Sequence, residues 1–387
     1  MAKQKLYWWI QHLDEIGGTE MVSIDLANHL CDEFDITLIV SSEVIKEKAY
    51  KLDERIKIFT LNIPHEVTRA DQYSLRYKQE HHHWKAFKLG FKTFVTYTFK
   101  SGHYKRMVKK LIKKEPGILI CSSGESYYFA PRKIKTIFHY HFNSRLFFSL
   151  GNKMIMAFSR KPDHSIFLSK STLDVIASKK KRYRKNSSYI YNPVRFAPEL
   201  DETYYNNRII FVGRFAEQKN PLLALGVALE LKKRNFPFTF DMYGEGGLLD
   251  KMKEYISSNE LENYVHIHEP ISNIKDELKK SDLLLLTSRY EGLVLVKAEA
   301  NAMSTPVISS NWGDTVYEIT SEGKDGYIID SDDPSIYADK IIEVLSDKEK
   351  LKELKRTSYE CSKTFSYERI IPSWIDLLHK LNNGEQK

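Results

Sequence analysis

Two glutamates, Glu291 and Glu299, are separated by seven residues where the apolar run LLLL leads through a serine and glycine turn into an alanine-rich helix. A carboxylate accepts two hydroxyl hydrogen bonds at once, so either glutamate can grip the diol of a ribose or hexose. The start of the helix adds free amides and a partial positive charge, which suit a diphosphate. Taken alone, the spacing equally fits a loop glutamate and a charge on a helix surface.

A second loop supplies positive charge. Arg214 and Lys219 lie in the segment GRFAEQK, which opens at Gly213 directly after the apolar run RIIFV. Folds of the α/β class bind ligands at the C-terminal ends of their strands. A guanidinium binds phosphate oxygens in pairs, and an ammonium neutralises them as a point charge. These residue types at this place indicate a phosphate-binding loop.

Glycines mark two further loops. Gly244 begins the segment GEGG after another apolar run, and Gly17 and Gly18 stand between the first apolar run and a helical pattern. Glycine lets a backbone approach a ligand closely, but it also makes ordinary turns. Either loop is therefore weak evidence of a site by itself.

The elements that must position these loops alternate between strands and helices. One series runs from KLYWWIQHL to HSIFLSKS, and a second opens at RIIFVGRF after a break at Asn192-Pro193. Such alternation predicts parallel sheets with helices on both faces. A chain of 387 residues is long for one ordinary α/β core. We therefore predict two α/β domains that divide near residue 193.

Composition favours a globular protein of the cytoplasm. Charged residues make up 28% of the chain, and its three cysteines are scattered. Their spacing predicts neither a disulfide framework nor a zinc site. No apolar run approaches the roughly 20 residues that span a bilayer.

Charge is distributed unevenly between the halves. Residues 1–193 have 34 Lys and Arg against 18 Asp and Glu, whereas residues 194–387 have 25 against 33. A basic half suggests an anionic partner, either nucleic acid or an acidic membrane surface. No recognisable nucleic-acid module is present, so nucleic acid is not expected as a partner.

The segment 81–114 concentrates that basic character, with ten Lys and Arg, no Asp or Glu, and interleaved aromatic residues. We interpret it as one or two basic amphipathic helices. Phe87, Phe91 and Phe94 share a helical face because they repeat at intervals of four and three residues. This face either packs on the domain's own sheet or dips into a membrane interface whose anionic headgroups bind the lysines.

Taken together, several segments resemble the family-four retaining glycosyltransferases, which have the GT-B fold. The matching segments are GGTE at 17–20, NPV at 192–194, VGRFAEQKN at 212–220, YGEG at 243–246, SRYEG with AEA at 288–300, and YEI with GKDGYIID at 317–330. The resemblance implies two Rossmann-like domains with parallel sheets that face each other across a cleft. Residues 1–193 would bind the acceptor and residues 194–365 the nucleotide sugar. FSYERIIPSWIDLL resembles the family's last helix, so residues 366–387 would cross back onto the first domain.

The resemblance also implies roles for individual residues. Glu299 would hold the donor ribose, and Glu291 would lie near the hydroxyls of the transferred sugar. Arg214 and Lys219 would neutralise the leaving diphosphate. The remaining donor-site residues implied in this way are Gly17, Gly18, Gly213, Gly244, Pro270, Gly292, Leu293, Leu295 and Val296.

One histidine matches the family residue that contacts the sugar near the anomeric centre. His141 ends the segment KTIFHYH, and His139 competes with it because the motif repeats histidine two residues apart. Alternation in a strand places both on one face, so strand length decides between them. A structural histidine is the alternative for either.

Two departures from the family pattern concern the donor pocket. Leu293-Val294 follows Glu-Gly where the family often has Phe-Gly or Phe-Pro, which changes the expected shape of the sugar pocket. The strand expected to contact the base ends in Glu269-Pro270 rather than in glycine. Proline has no amide hydrogen, so a base contact there must use a carbonyl oxygen or packing.

The resemblance implies a retaining glycosyltransferase, with UDP-sugars as the commonest donors of the family. Leaving-group stabilisation would dominate, because the departing diphosphate develops negative charge. The fixed cations can replace a metal, so neither an obligatory divalent ion nor another cofactor is expected. The acceptor expected is a glycan or a lipid-linked sugar of a bacterial surface polysaccharide. A sugar-nucleotide epimerase and a non-catalytic partner subunit are the alternatives.

Overall fold

A computed structural model describes residues 3–13, 18–43, 51–70, 73, 82–131, 133–141, 147–148, 161–271 and 273–383. The chain divides into two compact units. Unit 1 comprises Met1–Ile190 together with Ile371–Lys387, and unit 2 comprises Tyr191–Ile370. The boundaries predicted from the sequence follow residues 193 and 365.

Unit 1 contains a parallel sheet of seven strands in the order β3-β2-β1-β4-β5-β6-β7. The strands are β1 (Gln4–Ile10), β2 (Phe34–Ser42), β3 (Lys57–Ile63), β4 (Ile118–Cys121), β5 (Thr136–Tyr140), β6 (His164–Phe167) and β7 (Ser187–Tyr189). Its described helices are α1 (Gly18–Leu30), α2 (His65–Thr68), α3 (His83–Thr98), α4 (Ser101–Lys114), α5 (Gly124–Phe129) and α6 (Lys170–Lys179).

Unit 2 contains a parallel sheet of six strands in the order β10-β9-β8-β11-β12-β13. The strands are β8 (Arg208–Val212), β9 (Thr239–Tyr243), β10 (Val265–His268), β11 (Leu283–Leu286), β12 (Val307–Ser310) and β13 (Gly326–Ile329). The helices are α7 (Pro221–Lys233), α8 (Leu249–Ser258), α9 (Lys275–Lys279), α10 (Leu295–Ala302), α11 (Asp314–Ile319), α12 (Pro334–Ser346) and α13 (Lys348–Ser362). A last helix, α14 (Tyr367–Asn382), begins in unit 2 and continues in unit 1.

The apolar runs of the sequence became the central strands. Six of the seven residues of β1 and all four leucines of β11 are buried. Strands that are covered by helices on both faces of a parallel sheet bury nearly every side chain, so they contain uninterrupted apolar residues. The predicted α/β class with two parallel sheets is confirmed.

The last helix, α14, passes from unit 2 into unit 1. From Ile371 onward it packs within unit 1. The ring of Trp374 is fully buried, and its centroid lies 5.2 Å from that of Trp8 in β1. Nε2 of His379 lies 3.3 Å from Oε1 of Glu33. The C-terminal helix thus completes the core of the first unit.

Candidate functional site

The candidate site lies where the strand order of the second sheet reverses. β8 and β11 are neighbours although they are far apart in sequence, with Ile209 opposite Leu283 and Ile210 opposite Leu284. The chain leaves these two strands towards opposite sides of the sheet, which opens a crevice at their C-terminal ends. The cationic loop follows β8, and the loop with Glu291 follows β11. The two loops that the sequence predicted to bind a ligand therefore meet at this crevice.

An ion pair joins the two loops. Nζ of Lys219 lies 2.6 Å from Oε1 of Glu291, and both side chains are largely buried. Nε2 of Gln218 donates to the other oxygen of Glu291 at the longer distance of 3.4 Å. Oε1 of Gln218 accepts from Nη2 of Arg214 at 3.2 Å. One network thus links the two predicted phosphate-binding cations to the predicted sugar-binding carboxylate.

Hydrogen bonds to main-chain carbonyl oxygens hold the loops in this arrangement. The amide of Arg289 donates to the carbonyl oxygen of Gln218 at 2.9 Å. Oγ1 of Thr287 donates to the carbonyl oxygen of Asn220 at 2.9 Å. Because both contacts end on main-chain carbonyl oxygens, the network depends on the path of the cationic loop.

The glycine turn after β9 supports the cationic loop from the other side. A Cβ atom at Gly244 would lie 2.0 Å from the carbonyl oxygen of Gly213, and one at Gly246 would lie 2.4 Å from that of Phe215. The amide of Phe215 also donates to the carbonyl oxygen of Glu245 at 2.7 Å. The close approach of these two loops explains both glycines. A Cβ atom at Gly213 would lie 3.4 Å from the side chain of Lys219.

The helix α10 presents its N-terminus to the same crevice. Leu295 and Val296 are its first two residues, and the side chain of the N-cap residue, Val294, makes no capping hydrogen bond. The first amides of a helix without a side-chain cap can bind an anion. Gly292 and Leu293 form the partly buried turn before it.

Glu299 lies further along α10 and is almost completely buried. Its Oε1 accepts from Nε of Arg195 at 2.7 Å. A buried carboxylate requires such a partner, since burying an unpaired charge is costly. The structure therefore excludes the interpretation of Glu299 as a charge on a helix surface.

A buried lysine on α10 anchors the helix between the two glutamates. Lys297 is fully buried, and its Nζ lies 2.5 Å from Oδ2 of Asp325 and 2.5 Å from the carbonyl oxygen of Ile319. Burial lowers the pKa of Lys297 although Asp325 favours its charged form. Removing either partner would leave a buried charge without its counter-ion, so this pair holds α10 in place.

Three other predicted donor-site positions have different surroundings. Pro270 is exposed and follows β10, at the edge of the second sheet. Gly18 is exposed and begins α1 in unit 1, and Gly17 lies outside the described residues. Gly18 thus stands at the start of the helix that follows β1, where the sequence predicted it.

The two candidate histidines occupy different positions on β5. His139 is inside the strand and fully buried, and among the described residues its ring nitrogens have no hydrogen-bonding partner. His141 follows the last strand residue, and burial lowers its pKa to about 3. The ring centroids are 4.0 Å apart, as expected for two side chains on one face. The imidazole of His141 is therefore neutral, and it stands at the C-terminal end of the strand.

A polar cavity of about 540 Å³ opens at the C-terminal ends of β11, β12 and β13. Its lining residues come from three separate loops, so no single sequence motif marks it. Its amide, hydroxyl and carboxylate groups suit a hydroxylated ligand. The lining residues are Ser288, Arg289, Ser310, Asn311, Ile329, Asp330, Ser331 and Asp332.

Three site residues escaped the sequence analysis: Gln218, Arg195 and Lys297. Gln218 stands next to Lys219 in the quoted motif, so its position in the loop was the available signal. Arg195 follows the boundary segment at 192–194, and nothing in the local pattern relates it to Glu299. Lys297 resembled any solvated helix lysine. In the described part of the chain, no group of three or more His, Cys, Asp or Glu side chains is arranged to hold a metal ion.

The chain is similar in sequence to known glycosyltransferases. Residues 196–360 match the family model of glycosyl transferases group 1. The chain is 24% identical over 376 residues to the GalNAc-alpha-(1->4)-GalNAc-alpha-(1->3)-diNAcBac-PP-undecaprenol alpha-1,4-N-acetyl-D-galactosaminyltransferase of Campylobacter jejuni, covering 95% of this chain and 96% of that protein.

Solved structures show the same fold. A variant of TarM from S. aureus, in complex with fondaparinux, alpha-GlcNAc-glycerol and UDP, has a TM-score of 0.75 at 18% identity, covering 97% of this chain and 100% of TarM. HepE from Anabaena in complex with UDP has a TM-score of 0.70 at 16% identity, with the same coverage. These likenesses identify the fold as GT-B.

Proposed function

We propose that this protein moves a sugar from a UDP-sugar to a glycan or lipid-linked acceptor, with retention of the anomeric configuration, since residues 196–360 match the family model of glycosyl transferases group 1. The observation that carries the proposal is the network of Arg214, Gln218, Lys219 and Glu291 at the crevice between β8 and β11. Together with Glu299 it combines groups for a diphosphate and for two sugars within unit 2.

In the proposed reaction, the bond between the anomeric carbon and the diphosphate oxygen breaks, and the diphosphate leaves with the bonding electrons. An acceptor hydroxyl oxygen bonds to the anomeric carbon on the same face, and its proton passes to the leaving diphosphate. Arg214, Lys219 and the first amides of α10 stabilise the growing charge, as preorganised donors do best. Lys219 pairs with Glu291 at 2.6 Å before the donor binds. When the diphosphate arrives, the ammonium is shared with it, and the carboxylate accepts hydroxyls of the transferred sugar.

The proposed donor nucleotide is UDP, because both structural neighbours described above were solved with UDP. The direct experiment measures release of free UDP from candidate UDP-sugars with and without an added acceptor. Release that depends on the acceptor supports transfer. Interconversion of the sugar nucleotide without release indicates an epimerase, and binding without either reaction indicates a non-catalytic partner subunit.

We propose that the reaction needs no divalent ion, because Arg214, Lys219 and α10 supply the positive charge. Turnover in excess EDTA is therefore expected to equal turnover in untreated buffer within about twofold, measured as UDP release. Magnesium and manganese are added back to separate aliquots as controls. Activity lost on chelation and restored by either ion contradicts the proposal.

The proposed acceptor is a lipid-linked or glycan precursor of a bacterial surface polysaccharide such as a capsule. The Campylobacter relative is named for a saccharide on undecaprenyl diphosphate, and an anionic, membrane-borne acceptor suits the basic first half of this chain. The proposed location is the cytoplasm, at the inner face of the cell membrane. Cys31, Cys121 and Cys361 are free thiols, which suits a reducing compartment. None of the described helices has the length and apolarity to cross a bilayer.

A surface on unit 1 supports peripheral membrane contact. Five aromatic side chains of α3 and the residue after it are 58–73% exposed: Trp84, Phe87, Phe91, Phe94 and Phe99. The opposite side of α3 buries Ala86, Leu89 and Thr96 instead. These aromatic residues therefore do not pack on the domain's own sheet, which was one of the two alternatives for this helical face. We call this group of five the aromatic surface.

The adjoining helix α4 supplies positive charge. It buries Tyr104, Val108 and Ile112 in the core of unit 1 and leaves Lys109 and Lys110 exposed. Anionic headgroups attract each such residue by about 1 kcal/mol, and aromatic rings favour the headgroup boundary. The proposed partner of the aromatic surface is therefore an anionic bilayer, which would keep the enzyme near a lipid-linked acceptor.

The double substitution Lys85→Gln/Lys88→Gln on α3 is expected to weaken binding to anionic vesicles about 30-fold, because two lysines contribute roughly 2 kcal/mol. Co-sedimentation with vesicles of anionic or neutral lipid, at low and high salt, measures this. High salt is expected to weaken binding of the parent protein, because it screens headgroup attraction.

The matched control is Lys251→Gln/Lys253→Gln on α8, which removes the same charge from exposed positions of unit 2. It is expected to bind like the parent protein. If both double variants lose vesicle binding to the same extent, the net charge of the protein governs binding, and the position of the lysines does not. Equal pelleting of the parent with both lipids, or with neither, rejects membrane docking and favours a water-soluble acceptor.

A further inference from the structure

The carboxylate of Glu299 is held by an arginine that is 104 residues distant in sequence. Nε of Arg195 donates to Oε1 of Glu299 at 2.7 Å, and the carboxylate side chain is only 5% exposed. Within the described part of the chain, this is the one hydrogen bond that the Glu299 carboxylate accepts. Its second oxygen, Oε2, can therefore accept a hydrogen bond from another donor.

The segment that presents Arg195 is fixed on both sides. The amide of Val194 donates to the carbonyl oxygen of Phe365 at 2.8 Å. The amide of Glu199 donates to the carbonyl oxygen of Ala302 at 2.7 Å. Ala302 is the last residue of α10, the helix that also carries the carboxylate. The main chain on both sides of Arg195 is thus hydrogen-bonded to other segments of unit 2, and one of these bonds is to α10 itself. The guanidinium is held beside the helix by the fold rather than by a mobile loop.

We propose that Arg195 is a positioning residue for donor binding. It holds the Glu299 carboxylate in one orientation, so that Oε2 accepts the hydroxyls of the donor ribose. A charge-assisted hydrogen bond of this length is strong, and a side chain that is ordered before binding loses less freedom when the ligand arrives. The inference rests on the proposed function, which assigns the ribose to Glu299.

The simpler role for Arg195 is that of a counter-ion, which lets the carboxylate be buried during folding and does nothing for the donor. The two roles predict different measurements. A counter-ion affects the melting temperature, whereas a positioning residue also affects nucleotide affinity. Only the positioning role predicts that the effect of Arg195 on affinity requires Glu299.

The test uses Arg195→Gln and Arg195→Lys in the full chain. Donor KM, kcat, the Kd for UDP by calorimetry and Tm are measured for each variant. We expect Arg195→Gln to raise the KM and the Kd about tenfold, which is the loss of one hydrogen bond to a charged group. The expected change in kcat is less than about threefold. Arg195→Lys keeps a positive donor and is expected to recover part of the affinity; it also serves if Arg195→Gln does not fold.

A double-mutant cycle with Glu299→Gln isolates the coupling. In that background, Arg195→Gln is expected to change the Kd by less than about twofold. Arg208→Gln is the matched control, because Arg208 also pairs with largely buried carboxylates, at 2.7 Å from Asp241 and 2.5 Å from Glu277, at the start of β8. It is expected to lower Tm and leave the Kd unchanged.

Two failures are distinguishable. The inference is overturned if Arg195→Gln, or Arg195→Lys where only that variant folds, binds UDP like the parent protein while Glu299→Gln binds it weakly. The inference is also overturned if the effects of Arg195→Gln and Glu299→Gln on the Kd for UDP add fully in the double variant. The proposed function fails instead if the parent protein itself neither binds a nucleoside diphosphate nor transfers a sugar.

Discussion

Replacing Lys219 with alanine is expected to lower kcat roughly 100- to 1,000-fold, with a much smaller rise in donor KM. The ammonium meets charge that develops as the diphosphate leaves, so its contribution is larger in the transition state than in the bound substrate. The loss of one preorganised donor from such a site has a cost of this size. Arg214→Ala is expected to behave in the same way. Initial rates of UDP release at several donor concentrations separate kcat from KM.

The ion pair between Lys219 and Glu291 requires a control. Lys219→Ala leaves a largely buried carboxylate without its cation, which is destabilising in itself. The double variant Lys219→Ala/Glu291→Gln removes both charges and is expected to regain Tm but not turnover. If Lys219→Ala and Arg214→Ala both turn over at the parental rate, the leaving diphosphate is stabilised elsewhere.

Glu299→Ala is expected to weaken donor binding about 10- to 150-fold. Hydrogen bonds to a charged group contribute on the order of 1.5–3 kcal/mol, and each 1.4 kcal/mol is a factor of ten. The substitution also leaves Arg195 without the carboxylate partner at 2.7 Å. Calorimetric titration with UDP and with the donor, beside the donor KM, measures the effect.

Glu254→Ala is a suitable comparison for Glu299→Ala, because Glu254 is an exposed residue of α8. It is expected to bind UDP like the parent protein. Affinity that is unchanged in Glu299→Ala rejects the assignment of Glu299 to the ribose. Tm is measured for both variants, so that a folding defect is not mistaken for a binding defect.

Much of the architecture was predictable because the signals are local. The run at 283–286 and the alanine-rich helix that follows it are adjacent in sequence, so their strand–loop–helix geometry requires no knowledge of the rest of the chain. The break near Asn192-Pro193 was local in the same sense. The neighbouring strands β8 and β11 bring two such local loops together, and the C-terminal edge of a parallel sheet was the expected place for them.

The aromatic surface shows where local pattern is insufficient. Spacing placed Phe87, Phe91 and Phe94 on one helical face, yet it was equally compatible with a buried and an exposed face. Hydrophobic periodicity defines which side chains lie together and leaves open what covers them. The structure decided the matter, because α3 packs through Ala86 and Leu89 and leaves the rings exposed.

By itself, the sequence determined the apolar strands, the glycine turns and the loop residues Arg214, Lys219 and Glu291, since each belongs to one short segment with its own chemical pattern. Only the tertiary structure decided that Gln218 links the two loops and that Arg195 holds Glu299. Contacts between residues so distant in sequence depend on strand order and on which segment packs against α10. Those are properties of the assembled core, which no local run of residues encodes.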